Sequence, residues 1–244
     1  MGTTKRAKTP IPPFEPARQR GSRLFDRLRE DILLGRMLPG EALSETRLAE
    51  EHGISRTPVR EVIQRLAKEN LLAIVPQVGT FVAPIKLSSV TSSQFIREAI
   101  ECRAVRFATE RATRPQVEAL RQQVSHQKKA IDSGDRVAFF QFDEKMHSLI
   151  LDIAGHAHAW DLIASVKAQL DRVRHLSLED KGWPKMIYRQ HVEIVGAIRD
   201  RDPAAAEQAM QAHLRTVFDA VERIAQEHTQ FFELEPQALK QDIA

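Results

Sequence analysis

The sequence predicts a mainly α-helical chain in two parts: a small unit of three short helices and a hairpin, then an antiparallel bundle of longer helices. Three observations carry that prediction. Turn and cap signals crowd residues 21 to 86. From about residue 89 the apolar spacing is helical throughout, without strand alternation and with few breakers. Charge divides at the same place: residues 1–88 hold 15 Lys and Arg against 10 Asp and Glu, the remainder 21 against 23, so basicity belongs to the N-terminal third.

The predicted organisation is a flexible basic arm over residues 1–20, a compact unit over 21–86, a helical domain over 87–232 and a tail over 233–244. The arm carries Pro10, Pro12, Pro13 and Pro16 among scattered Lys and Arg and buries too little to stay folded alone. Ser22 is placed to cap a first helix with the apolar stripe Phe25, Leu28 and Ile32, and Gly35 to end it. After the turn at Leu38-Pro39-Gly40, Ser44 caps a second short helix, with Leu43 and Leu48 placed as a hydrophobic staple and Gly53 closing it. The segment "SRTPVREVIQ" opens the third, with Thr57 as the expected cap and Pro58 at the first helical position, where its missing N–H is not needed. Val59, Val62, Ile63 and Leu66 form its buried stripe, which leaves Arg56, Arg60 and Gln64 on the opposite face. Asn70 is the expected left-handed stop. "LLAIV" and "TFVA", separated by Pro76-Gln77-Val78-Gly79, read as a hairpin.

Three helices and a hairpin make a winged helix-turn-helix, whose third helix enters the DNA major groove. Arg at the front of such a helix can make paired hydrogen bonds to guanine, and Gln or Thr can reach adenine or phosphate. Residues 38–84, "LPGEALSETRLAEEHGISRTPVREVIQRLAKENLLAIVPQVGTFVAP", resemble the DNA-binding domain of the GntR family of bacterial transcription regulators. The resemblance implies that Arg56 and Arg60 contact DNA, that Thr46, Arg47, Thr57 and Gln64 lie at the same surface, and that the wing around Gly79 reaches the minor groove. Asn70 departs from the family's usual Gly, Val62 from its common Ala, and Gln77 from a basic or small residue.

Helices are predicted over 89–112, 115–132, 135–153, 158–177, 184–200 and 203–228, the last opened by Asp202 as cap and Pro203 at the first position. Their inward stripes contain polar residues. Phe140, Asp143, His147, Ile150 and Ala154 form one stripe; Ile187, His191, Ile194, Val195 and Ile198 another; Ala206, Met210, His213, Val217 and Val221 a third. A carboxylate and three imidazoles aimed into one apolar interior are costly unless partnered. A divalent metal resolves all four at once, and Asp and His at i and i+4 with single His ligands from two other helices is an established bundle solution. His126, His156, His158, His175 and His228 show no such pattern. Zn²⁺ is the expected ion, with Ni²⁺ or Mn²⁺ also compatible. Arg97, inward with Ile100 and Ala104, could clamp a ligand carboxylate or pair with Glu101. Arg172 or Arg174, on a helix expected to line the same cavity, offers a similar clamp.

Residues 89–230 resemble the FCD effector domain of the FadR-like branch of GntR regulators, on "FDEKMHSLI", "YRQHVEIVGAIRDRDP", "AEQAMQAHL" and "FIREAIECRAVRFATERAT". Asp143, His147, His191 and His213 carry over as metal ligands. The expectation is a repressor, homodimeric, bound to an inverted-repeat operator of double-stranded DNA and responsive to a small organic acid. The rival is a metalloenzyme, a hydrolase or oxygenase using the same ion, which the basic N-terminal unit and the lack of a further inward carboxylate to act as base argue against. No apolar run approaches the length of a membrane span and nothing reads as a secretory signal, so a cytoplasmic protein without a membrane partner is expected. The single cysteine, Cys102, excludes an internal disulfide and reads as core packing.

Overall fold

The computed structural model describes residues 17–233; the arm up to residue 16 and the tail from residue 234 lie outside the described residues. Helix α1 (Ala17–Leu33) packs on α3 (Arg56–Lys68), and α2 (Glu45–His52) packs on α3 as well. Strands β1 (Ala42–Leu43), β2 (Leu72–Val75) and β3 (Gly79–Val82) form an antiparallel sheet in the order β1-β3-β2, with Leu72 opposite Val82 and Leu43 opposite Thr80. The bundle follows as α4 (Leu87–Arg111), α5 (Arg114–Ser133), α6 (Arg136–Ile153), α7 (His158–Val166), α8 (Ala168–Ser177), α9 (Trp183–Arg199) and α10 (Pro203–Glu227). No helix among the described residues is long and apolar enough to cross a membrane.

The cap chemistry of α2 is as read from its sequence. Ser44 is extended and its hydroxyl accepts the Arg47 N–H at 3.3 Å, and Gly53, at φ 59°, returns its N–H to Ala49 and Glu50. Asn70 adopts φ 57°, and the Leu71 N–H reaches back to the Leu66 carbonyl at 2.9 Å, which ends α3. The stripe Val59, Val62, Ile63 and Leu66 is buried against Leu24, Ile32 and Leu71. Each such side chain contributes about 1.5–3 kcal/mol when removed from water.

Four expectations change. Helix α1 begins at Ala17, so Ser22 lies inside it and the last four residues of the expected arm are helical. Helix α3 begins at Arg56 with extended Ser55 before it, which puts Thr57 and Pro58 at its second and third positions rather than at cap and first. Proline is tolerated there for the same reason, because none of the first four N–H groups has an intrahelical partner. Strand β1 was not expected; two residues carry no periodic signal, and the strand is held from outside by Gly40 N–H to Val82 O and Val82 N–H to Glu41 O, both 2.9 Å. The single helix expected over 158–177 is broken at Lys167 into α7 and α8.

The two parts are joined through backbone and side chains. Ile85, in the link between them, donates to Phe231 O at 2.7 Å and accepts from Glu233 N at 2.9 Å, so the end of the bundle returns to its beginning. Ala168, the first residue of α8, is buried in the apolar core of the N-terminal unit.

Candidate metal centre and nucleic-acid face

On the N-terminal unit, Arg56, Thr57, Arg60 and Gln64 are exposed along one side of α3, and Thr46 and Arg47 are exposed on α2 beside it. Arg60 Nε donates to Glu45 at 2.7 Å and Arg47 Nε to Glu51 at 2.7 Å. Exposed pairs of this kind are worth about 0–1 kcal/mol, so a phosphate or base edge can displace the acids. At the wing, Val78 N–H closes on Val75 O at 3.1 Å with Pro76 second and left-handed Gln77 (φ 62°) third, the pattern of a type II turn. Gly79 follows at φ 153°, exposed. Residues 71 to 85 contain no charged side chain, so the wing offers backbone, apolar and uncharged polar contact, the last from exposed Gln77, rather than phosphate neutralisation.

In the bundle, α6 supplies Asp143 and His147, α9 His191 and α10 His213, and all four side chains are buried. The three inward stripes are buried as their spacing requires, with only Phe140 partly exposed. The His213 Nε2 atom lies 3.2 Å from His147 Nε2 and 3.3 Å from His191 Nε2. Asp143 Oδ1 is 3.6 Å from His191 Nε2, and its Oδ2 accepts from Arg174 Nη2.

The outer nitrogen of each ring is held by an acceptor. His147 Nδ1 meets Glu101 Oε2 at 2.5 Å, His191 Nδ1 meets Gln127 Oε1 at 2.7 Å, and His213 Nδ1 meets Gln190 Oε1 at 3.0 Å. Burial alone would raise the Glu101 carboxyl, but Arg97 and His147 outweigh it and bring the pKa down to about 2. An ionised carboxylate only accepts, so the His147 proton sits on Nδ1. Gln190 donates its amide to Thr216 Oγ1 at 2.9 Å, which turns its oxygen to His213. Burial lowers the pKa of His191 to about 3 and that of His213 well below the ordinary imidazole value, so both rings are neutral. On His191 and His213 the Nδ1–H therefore points outward and Nε2 presents a bare lone pair inward, while on His147 the Nδ1–H points to Glu101 and Nε2 faces the same centre. The Nε2 atoms of His191 and His213, both bare, cannot hydrogen-bond each other across their 3.3 Å separation. A cation is the physical complement of such a cluster, and the residues fit one.

For Asp143, burial favours the neutral acid, but Arg174 and then His147 outweigh it and hold the carboxyl well below its usual range. Arg174 also donates Nη1 to Glu144 at 2.7 Å and to Asp171 at 3.0 Å, so both of its terminal nitrogens are engaged. With Arg97 and His213 it lines a cavity of about 40 Å³ beside Asp143. Arg97 donates Nε to Glu101 at 2.7 Å, while its buried Nη2 has no partner among the described residues.

Arg172 corrects the expectation that either arginine of α8 could line the cavity. Two positions from Arg174, it faces the other way, fully buried, and donates Nη1 to Ala83 O at 2.7 Å at the end of the sheet. Two groups of the site went unread, and a third, Glu101, was foreseen only as a partner for Arg97. Gln127 and Gln190 hold imidazoles, and Glu101 is the inward carboxylate thought to be missing; it is committed to His147 and Arg97.

A winged helix-turn-helix followed by a helical domain is the plan of a DNA-binding transcriptional regulator rather than an enzyme. Residues 20–82 match the bacterial regulatory proteins of the gntR family and residues 94–216 match the FCD domain, so the chain belongs to the GntR family and carries an FCD domain. The HTH-type transcriptional repressor RspR of Escherichia coli K12 is 37% identical over 225 residues, 92% of this chain and 97% of that one. An HTH-type transcriptional regulator from an unstable DNA locus of Streptomyces ambofaciens is 36% identical over 210 residues, 86% of this chain and 88% of that one. Among solved structures, E. coli McbR/YncC superimposes with a TM-score of 0.70 at 19% identity, over 84% of this chain and 97% of that one, which shows a shared fold.

Proposed function

We propose that the protein is a metabolite-responsive repressor whose helical domain holds a divalent metal ion and, against it, a small organic acid. The observation that carries this reading is the convergence of three imidazole Nε2 atoms in a buried site. Nε2 of His147, His191 and His213, with Asp143 Oδ1, would hold the ion, zinc first and nickel or manganese as alternatives. When bound, the ion supplies a Lewis-acidic anchor for one carboxylate.

The chain's own side chains do the rest. Arg97 Nη2, buried and unpartnered at the cavity, receives the acid's other oxygen. Arg174 keeps Asp143 ionised and oriented and is a positioning residue. Formally, Glu101, Asp143, Glu144 and Asp171 face Arg97, Lys167 and Arg174, so a dication turns the region net positive, the sign that accepts an anion.

Repression is proposed from the name of RspR. Thr46, Arg47, Arg56, Thr57, Arg60 and Gln64, with the wing at Gly79, form the DNA face, and a homodimer would read an inverted repeat, since one such module buries too little surface for tight specific binding. Helix α8 supports coupling between the two parts. Its Arg174 touches Asp143, while Gln169 donates to Asn70 O at the end of α3 and Arg172 to Ala83 O. A ligand that binds one placement of α8 better than another shifts the operator affinity by that difference.

The test is His191→Ala. It is expected to lose bound metal and the thermal stabilisation given by organic acids while keeping near-normal operator binding. A variant with full metal content and full response contradicts the proposal.

A further inference from the structure

The cavity beside the imidazoles is too small for a metabolite. At about 40 Å³ it has room for one or two waters, whereas a void of about 150 Å³ is needed for a ring as small as benzene. A groove of about 470 Å³ adjoins it, between the α5–α6 turn and the link from α8 to α9. Phe139 and Leu178 line both spaces; Trp183 faces the cavity while Pro184 and Lys185, next in sequence, face the groove. The wall is an apolar cluster of its own, Phe139 and Leu178 with Ala130 and Ile187, separate from the main core of the bundle.

The groove's lining is net positive, with three basic side chains against Asp132 and Asp135. Arg136, Lys181 and Lys185 line it, and none of them is in an ion pair among the described residues. The acids beside them are occupied: Asp132 pairs with Lys128 at 2.5 Å, and Asp135 accepts the Ala138 N–H at 2.9 Å to cap α6.

We propose that cavity and groove are two halves of one ligand site, and that the ligand is an elongated acid with an anionic group at each end. One carboxylate passes the Phe139–Leu178 wall to Arg97; the distal group rests on Arg136, Lys181 and Lys185. The inner half rests on the metal-centre reading above, and the outer half does not.

The experiment is calorimetric titration of the zinc-loaded full-length protein with dicarboxylates of four to eight carbons and the matching monocarboxylates. The expected result is that at least one dicarboxylate binds about five- to tenfold more tightly than its monocarboxylate at low ionic strength. The exposed double variant Lys181→Glu/Lys185→Glu should abolish that preference and leave monocarboxylate binding unchanged. No preference anywhere in the series, a preference that survives charge reversal, or no binding of any dicarboxylate overturns the proposal. If His191→Ala keeps full monocarboxylate affinity, the inner anchor fails instead, while the dicarboxylate preference still reports on the groove.

Discussion

At His191 the deciding contact is on the far side of the ring. Gln127 accepts from Nδ1 at 2.7 Å and so leaves Nε2 bare. Removing that acceptor frees the tautomer, so Gln127→Ala should weaken zinc affinity about 10–100-fold, read by competition with a chromophoric chelator; unchanged affinity would mean that the ring is oriented by something else. Gln127 was legible in principle, for it continues the buried stripe Leu120 and Val124 of α5, but an amide on a helix rich in polar residues gives no sign of what it holds. Arg172 was illegible for a geometric reason: it and Arg174 lie on nearly opposite faces of α8, and the sequence does not say which face meets the cavity. On the DNA face, Arg60→Ala should cost about 1–3 kcal/mol of specific binding and relax one base position, measured by competition with altered operators. Equal affinity for every operator tested would remove Arg60 from the interface. Cys102 is silent by contrast. Burial, then Glu98 and Glu101, push its thiol up to about 12, so iodoacetamide at pH 8 should leave it unmodified in the folded protein, as mass spectrometry would show.

Among the elements, those with a strong period or a complete cap were read from sequence alone. The three bundle stripes, the Ser44 cap, the Asn70 stop and the Asp202-Pro203 start each combine a local preference with a packing demand, and both point the same way. Elements set by distant partners were not. Strand β1 exists because Glu41 and Gly40 meet Val82, and the α7–α8 break falls at Lys167, whose ammonium is buried against Glu144 and Asp171 at 2.5 Å each. Neither leaves a mark in a window of a few residues. Leu66, fully buried in α3, tests how far the DNA face depends on its stripe. Leu66→Ala should cost about 2–5 kcal/mol of stability by urea unfolding, and a loss under 1 kcal/mol would mean that α3 is held by something other than this stripe.

Across the whole molecule, α8 joins the imidazole cluster to the N-terminal unit. Its two faces are fixed to different parts, Arg174 to Asp143 and Gln169 with Arg172 to the ends of α3 and β3. Arg172→Met keeps the bulk and removes the hydrogen bond. It should retain metal and acid binding while narrowing the change in operator affinity that the acid produces, and an undiminished change would place the coupling elsewhere. All of this requires that the three imidazoles gather around an ion. The most direct measurement is elemental analysis of the extensively dialysed protein beside His191→Ala and His213→Ala. A single divalent ion per chain, lost in both variants, is the predicted result; wild-type protein that is metal-free and does not take up zinc, nickel or manganese would contradict it.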